Sequence, residues 1–315
     1  MTVGKGATKN DLCFFKSFRS LILLLCTMSF GLLFSSEAGE YVKEGMKISV
    51  GCVLPSSFPF MIISDFYVSY GAPENIRPLR RLFTSSFGFA PSDLAPFICG
   101  NVGGFPIGAK LISEKYEMGM ISKEDAERLI PLCNNPSCAF IVGGIGLGMY
   151  KDLKIGIALL LSVYLSTVIC GIITKTKRKE SVFAKNNIRQ NYNFTLSVKN
   201  AGYSCIGIIS FISIFSVMIG IIKKRLKSAL LLYLFSAFSE VTNAVNLFSS
   251  DTIFPPVLSL SMSAFSLGFG GVCVGMQSSV FTLPSGLSMR KYYPIKLLEG
   301  IISAAIFSIL FSLMI

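Results

Sequence analysis

The sequence predicts an all-α, polytopic membrane protein of about eight membrane segments, with two Gly-interrupted, re-entrant or broken-helix hairpins in a two-repeat arrangement. Three observations predict it. First, 52% of the 315 residues are hydrophobic and only 15% are charged, against about 25% charged in soluble domains. The mean hydropathy is +0.63; a soluble core has no room for that excess, whereas a bilayer does. Second, several apolar stretches, 153–174 and 201–222 most clearly, are long enough to cross hydrocarbon as helices. Third, a glycine pattern occurs twice. Gly103-Gly104-Phe105-Pro106-Ile107-Gly108-Ala109-Lys110 is matched, at an offset of 167 residues, by Gly270-Gly271-Val272-Cys273-Val274-Gly275-Met276-Gln277. A further glycine follows each copy at the same distance, Gly119 and Gly286. Paired Gly/Pro-interrupted segments in two halves of a membrane protein point to a transporter's binding site.

The elements follow in order. Residues 1–47 form a basic N-terminus and a first membrane helix. The apolar run 21–34 is preceded by Lys5, Lys9, Lys16 and Arg19 and followed by Ser35-Ser36-Glu37-Ala38. The same layout describes a cleavable signal peptide, but with 13–18 lengthening the span and Lys16 snorkelling, an uncleaved first helix is the reading taken and cleavage the alternative. A first repeat spans 48–174. Within it, 48–70 is long enough to cross but contains Pro55, Pro59, Gly51 and Asp65. That predicts either a kinked packing helix or a break beside a cavity. The glycine copy lies in 90–110. Ser122 and Asp125 then make a capping box that starts a helix at about Lys123, stopped by Asn134-Asn135-Pro136. Gly143, Gly144, Gly146 and Gly148 predict close helix packing.

A basic loop, 175–200, separates the halves, with Lys175, Lys177, Arg178, Lys179, Lys185, Arg189 and Lys199 against Glu180. It reads as cytoplasmic. Yet Lys223, Lys224, Arg225 and Lys227 follow the next helix, which the same rule places inside as well. Either one of the two flanking segments turns back or a span is miscounted. The second repeat, 201–315, holds 228–250 with Glu240, Thr242, Asn243 and Asn246 near its middle, the second glycine copy in 254–284, and a final span, 292–315.

The net charge is +12, but the basic residues sit in tails and loops, where they orient the chain and meet anionic lipid; nucleic acid is not the expected partner. With no histidine, zinc sites and His-based acid–base catalysis are excluded. The nine cysteines are scattered and read as small core residues. No nucleophile–base pair or metal cluster stands out, so neither enzymatic activity nor a metal or other cofactor is expected.

A Gly-Gly pair unwinds a helix, since each glycine costs about 1 kcal/mol relative to alanine. The backbone groups freed at membrane depth then need partners, and an anion facing a half-helix N-terminus supplies them. This makes Gly103, Gly104, Pro106, Gly108, Gly270 and Gly271 candidate substrate-binding positions, with Lys110 as a charge beside the first break. Glu240 is the sharpest single residue, because a carboxylate at mid-span is costly and usually faces a cavity, a partner or a coupling ion. Asn243 lies one turn on and shares its face.

At these residues the chain resembles the YlbJ (SpoVV) family of sporulation integral membrane proteins, within the nucleoside-recognition or Gate domain superfamily. The resemblance is carried by 104–110, by 121–129, by Cys133-Asn134-Asn135-Pro136, by Glu240-Val241-Thr242-Asn243, by Phe269-Gly270-Gly271 and by Gln277. The second copy has Met276 where the family usually has histidine. The resemblance implies a role in the mother cell of an endospore former and movement of dipicolinic acid, a planar aromatic dianion, across the outer forespore membrane. It adds Asn134, Asn135, Thr242 and Gln277 to the candidate substrate-binding residues.

The function expected is transport of a small organic anion by alternating access at a midplane site. A nucleoside-type transporter and a non-transporting sporulation scaffold or sensor are the alternatives. Expected partners are the anionic substrate and the lipid bilayer, with a coupling proton or cation and a homo-oligomer left open.

Overall fold

The computed structural model describes residues 35–70, 77–176, 193–250 and 253–314. The apolar run 21–34, with its anchor and signal-peptide alternatives, and most of the basic loop lie outside them. Every regular element among the described residues is helical.

The first pair is bent. Helix α1 (Ser35–Ile48) passes through one π-helical stretch, Ser49–Val53, into α2 (Leu54–Tyr70). The bend between 36–53 and 57–66 is 52°, as Pro55 and Pro59 deny the backbone two donors. Amphipathic α3 (Arg77–Phe87) follows, with Arg77, Arg80 and Arg81 exposed and Phe83 and Phe87 buried.

The first glycine copy divides α4 (Leu94–Gly103) from α5 (Ile107–Glu117). Gly104 has φ +82° and the Phe105–Pro106 peptide is cis. The two helices fold back on each other: a Cβ on Gly100 would lie 2.8 Å from the Gly108 Cα, and a Cβ on either glycine would collide with the Cys133 carbonyl. Next comes α6 (Lys123–Leu132), which starts where the capping box predicts; Ser122 Oγ accepts from the Asp125 N–H at 3.1 Å. Arg128 fastens α6 from beneath, donating to the Phe87 carbonyl at 2.8 Å with its guanidinium 3.6 Å from the centre of the Phe89 ring. Burial lowers its pKa, and Asp125 opposes the shift.

The glycine-rich stretch Phe140–Met149 is π-helical. Its predicted close packing is realised at Gly146, where a Cβ would come 2.5 Å from the Gly156 Cα of α7 (Leu153–Ile173). Helix α8 (Phe194–Arg225) has 32 residues, about 48 Å of helix, longer than a hydrocarbon core of about 30 Å is thick. Both α7 and α8 are continuous. Neither turns back, and Lys223, Lys224 and Arg225 form the last turn of α8.

The stretch 228–250 is interrupted at Glu240, giving α9 (Ala229–Ser239) and α10 (Val241–Ser250). The second glycine copy separates α11 (Pro256–Phe269) from α12 (Gly271–Thr282), and α13 (Tyr292–Met314) ends the described chain. Unlike α4 and α5, α11 and α12 run on as one apolar rod, Pro256–Thr282. Leu267, fully buried, stands at the position of Gly100, where the fold-back of α4 and α5 leaves no room for a Cβ.

Local geometry recurs at the expected offset. Gly119 and Gly286 both have positive φ, +68° and +78°. Each closes its helix with the same pair of bonds. Gly119 N–H meets the Tyr116 carbonyl and Met120 N–H the Lys115 carbonyl; Gly286 meets Leu283 and Leu287 meets Thr282. This is the glycine helix stop with its crossed hydrogen bonds.

Four helices among the described residues are long and apolar enough to cross a bilayer: Leu153–Ile173, Phe194–Arg225, Pro256–Thr282 and Tyr292–Leu313. The bent α1–α2 pair makes five if counted as one span. Among the described residues the span-length helices are thus fewer than the roughly eight membrane segments expected, and the breaks at 104–106 and at Glu240 leave α4, α5, α9 and α10 each too short to cross alone.

Candidate functional site

The predicted residues fall in three neighbouring places rather than in one pocket. At the first, α5, α8 and α12 line a half-open cavity of about 430 Å³. Pro106 and Lys110 of the first glycine copy and Gln277 of the second both line it, together with Tyr203, Phe211 and Phe281. Lys110 Nζ lies 3.3 Å from Asp65 Oδ1 and 3.9 Å from Glu114 Oε1, and Ser197 donates to the other Asp65 oxygen at 2.8 Å. Asp65, singled out in the sequence for its place in a proline-broken span, is thus the counter-charge of Lys110. Gln277 is 3% exposed. Its Nε2 donates to Cys273 Sγ at 3.4 Å, while its Oε1 has no hydrogen-bond partner. A buried amide oxygen left alone is costly, and its residue lines the cavity.

The second place is the break between α9 and α10. Glu240 is extended, φ −153° and ψ 125°, and its carboxylate folds over the start of α10. Oε1 accepts from the Thr242 N–H at 2.8 Å; Oε2 accepts from the N–H and from Nδ2 of Asn243, both at 2.7 Å. A carboxylate at a helix N-terminus is favoured by the unpaired N–H groups and the helix dipole. Asn243 also donates to Ser216 of α8 at 2.8 Å. Gly271 is pressed against this junction: a Cβ there would lie 2.7 Å from the Ser239 carbonyl oxygen and 3.0 Å from the Glu240 nitrogen. Two helix interruptions, at Glu240 and at Gly270–Gly271, therefore meet. Gly270 ends α11 in the left-handed conformation, its N–H bonded to the Ser266 carbonyl at 2.8 Å.

The third place is the turn after α6. Asn134 Nδ2 donates to Ser278 Oγ and to Tyr292 Oη, each at 2.8 Å, and its Oδ1 has no hydrogen-bond partner. Asn135 Nδ2 reaches Asn101 Oδ1 at 2.8 Å and Thr167 Oγ1 at 2.9 Å. Its Oδ1 accepts from Lys296 Nζ at 2.6 Å. Lys296 in turn pairs with Glu299 at 3.0 Å, and Thr167 donates to the same carboxylate. Both charged side chains are fully buried. Gly104 backs onto this turn, with its missing Cβ 2.9 Å from the Ser137 nitrogen, and Gly103 lies against Ser64 and Ile107.

Lys296 and Glu299 escaped the sequence reading, which took 292–315 as a plain closing span. The signal was present: opposite charges three residues apart inside an apolar stretch share a helix face, and such residues in a span are functional by default. No group of three or more His, Cys, Asp or Glu that would hold a metal ion occurs among the described residues.

Helices interrupted at buried polar junctions, span-length apolar rods around them and a solute-sized cavity define a polytopic helical membrane protein of the discontinuous-helix kind. No family model matches the chain, and no solved structure matches it significantly. The chain is similar to the sporulation integral membrane protein YlbJ of Bacillus subtilis (strain 168), with 23% identity over 309 residues, covering 84% of this chain and 75% of the relative. That similarity bears out the family resemblance carried by the glycine and asparagine motifs.

Proposed function

We propose that the chain is a membrane transporter of a small organic anion, dipicolinate, moved across the outer forespore membrane during sporulation by alternating access around the interrupted helices. The observation that carries this reading is the shared cavity: Lys110 from one glycine copy and Gln277 from the other line the same 430 Å³ space. Tyr203, Phe211 and Phe281 give that space flat apolar walls, which suit a planar aromatic ring, and Lys110 is a charge that an incoming carboxylate shares with Asp65. In this reading the chain enters or crosses the membrane about eight times in two repeats, the short half-helices completing the spans, and it performs no chemistry on its solute. The sporulation relative supports the membrane and the setting.

A nucleoside is the second reading, favoured by one observation. The partnerless Gln277 oxygen calls for a donor, and a nucleoside has hydroxyl and base N–H groups where dipicolinate dianion has none. Turning the amide about its last bond reverses the preference, presenting NH₂ to the cavity and oxygen to the Cys273 thiol. A non-transporting scaffold has no use for a solute-sized cavity between the two glycine copies. The test is uptake by the purified protein in liposomes, comparing labelled dipicolinate with nucleosides, with and without a pH gradient. Saturable dipicolinate uptake is expected; uptake of neither class would sink the carrier reading.

A further inference from the structure

We propose that the buried Lys296–Glu299 pair is the proton-binding element that couples solute movement to a pH gradient; this rests on the carrier reading and assigns its coupling site. The pair sits in a span with both side chains fully buried, and nothing in the cavity or at the glycine breaks requires it there. Ionised, it is neutral in sum: Lys296 carries one positive charge and Glu299 one negative.

The hydrogen bonds around Glu299 provide for a second protonation state. Thr167 has one hydroxyl hydrogen and two acceptors within reach, Glu299 Oε1 and the Val163 carbonyl at 3.0 Å. When Glu299 is ionised, Thr167 donates to it. When a proton from the aqueous phase bonds to Glu299 Oε1, the new O–H donates to Thr167 Oγ1, and Thr167 turns its hydrogen to Val163. Asn135 Nδ2 continues to donate to Thr167 at 2.9 Å, so no group is orphaned by the exchange. Lys296 keeps its bond to Asn135 Oδ1. The site then holds a net charge of plus one, with no counter-charge in contact.

Titratable groups facing the pair are few. Cys170 of α7 interacts with both charges, Tyr292 of α13 and Cys133, just after α6, with Glu299, and beyond Cys133 lies the Lys115–Asp93 pair, closed at 2.5 Å. Helix α11, packed along α13, carries no ionisable side chain. The uncompensated charge is therefore answered by an anion from outside the pair. The path to it is short: Asn135 holds Lys296, its neighbour Asn134 holds Ser278 at 2.8 Å, and Ser278 adjoins Gln277 in the cavity wall. Proton and anion bind best together, and each leaves more readily without the other.

The experiment uses the full chain in liposomes, with labelled dipicolinate as probe. It measures counterflow without a gradient and accumulation with the entry side acidic. The unaltered protein is expected to do both. Glu299→Gln should keep counterflow while its gradient-driven accumulation falls at least tenfold, and the apolar double variant Lys296→Met/Glu299→Met should behave alike. Accumulation undiminished in either variant overturns the proposal. Should neither variant insert, the unaltered protein decides: counterflow indifferent to pH together with no response to the gradient overturns it. Absence of counterflow in the unaltered protein removes the carrier reading itself.

Discussion

Asn135 accepts a hydrogen bond from the Lys296 ammonium across 2.6 Å, and that bond ties the turn after α6 to the last membrane helix. Because Lys296 and Glu299 are both fully buried, removing one partner strands a charge in apolar surroundings. Lys296→Met is expected to destabilise the protein by about 3–5 kcal/mol, whereas the double change with Glu299→Met should recover most of that loss. Thermal unfolding of the purified protein in detergent checks it; equal losses in the single and double variants would contradict the account.

The fold-back of α4 and α5 depends on glycine for space, whereas the stop at Gly119 depends on it for backbone angle. A Cβ on Gly108 collides with the Cys133 carbonyl, while one on Gly119 meets nothing within 4 Å. Gly119→Ala should cost about 1–2 kcal/mol, the penalty of a left-handed non-glycine residue. Gly108→Ala should cost more, because backbone has to move. Comparing the yield and thermal stability of the two variants tests the order, and a milder effect at Gly108 would refute the hairpin packing.

Ser122 does not line the cavity, and its hydroxyl caps α6 while donating to Asp125 Oδ2 at 2.9 Å. Ser122→Ala should cost about 1 kcal/mol of stability and leave the rate of dipicolinate uptake unchanged. A large loss of uptake at unaltered stability would give α6 a role beyond support.

Glu240→Ala and Asn134→Ala are expected to block dipicolinate accumulation in spores while membrane insertion stays intact. The first uncaps α10 beside Gly271 and the second releases α6 from Ser278 and Tyr292. Spore dipicolinate content, with protein level in the membrane fraction as control, provides the measurement. Normal content in both variants removes these residues from the transport route.

Lys110→Met should lower dipicolinate uptake about tenfold or more, since a hydrogen bond to a charged group contributes about 1.5–3 kcal/mol. Nucleoside uptake, if it occurs, should change far less. A uniform decrease for both solutes would mean that Lys110 supports the fold through Asp65 and Glu114 rather than meeting the solute.

Much of this was written locally along the chain. Composition and apolar run length dictate a membrane protein, because too few charged residues remain to wet a soluble surface. The helix at Lys123 and its stop at Asn134 follow from capping chemistry that spans three or four residues. The positions of both glycine breaks are also local, as is the matched stop at Gly119 and Gly286, since positive φ is a property of single residues. What tertiary structure alone decided is pairing across distance. The same glycine pattern folds back where Gly100 faces Gly108 and runs on as one span where Leu267 stands in the place of Gly100. Asp65 becomes the counter-charge of Lys110, and Glu240 meets Gly271. Lys296 and Glu299, which the reading of 292–315 as a closing span passed over, are fully buried against Asn135 and Thr167. Burial and counter-charge depend on which helices lie side by side, and no stretch of sequence contains that information by itself.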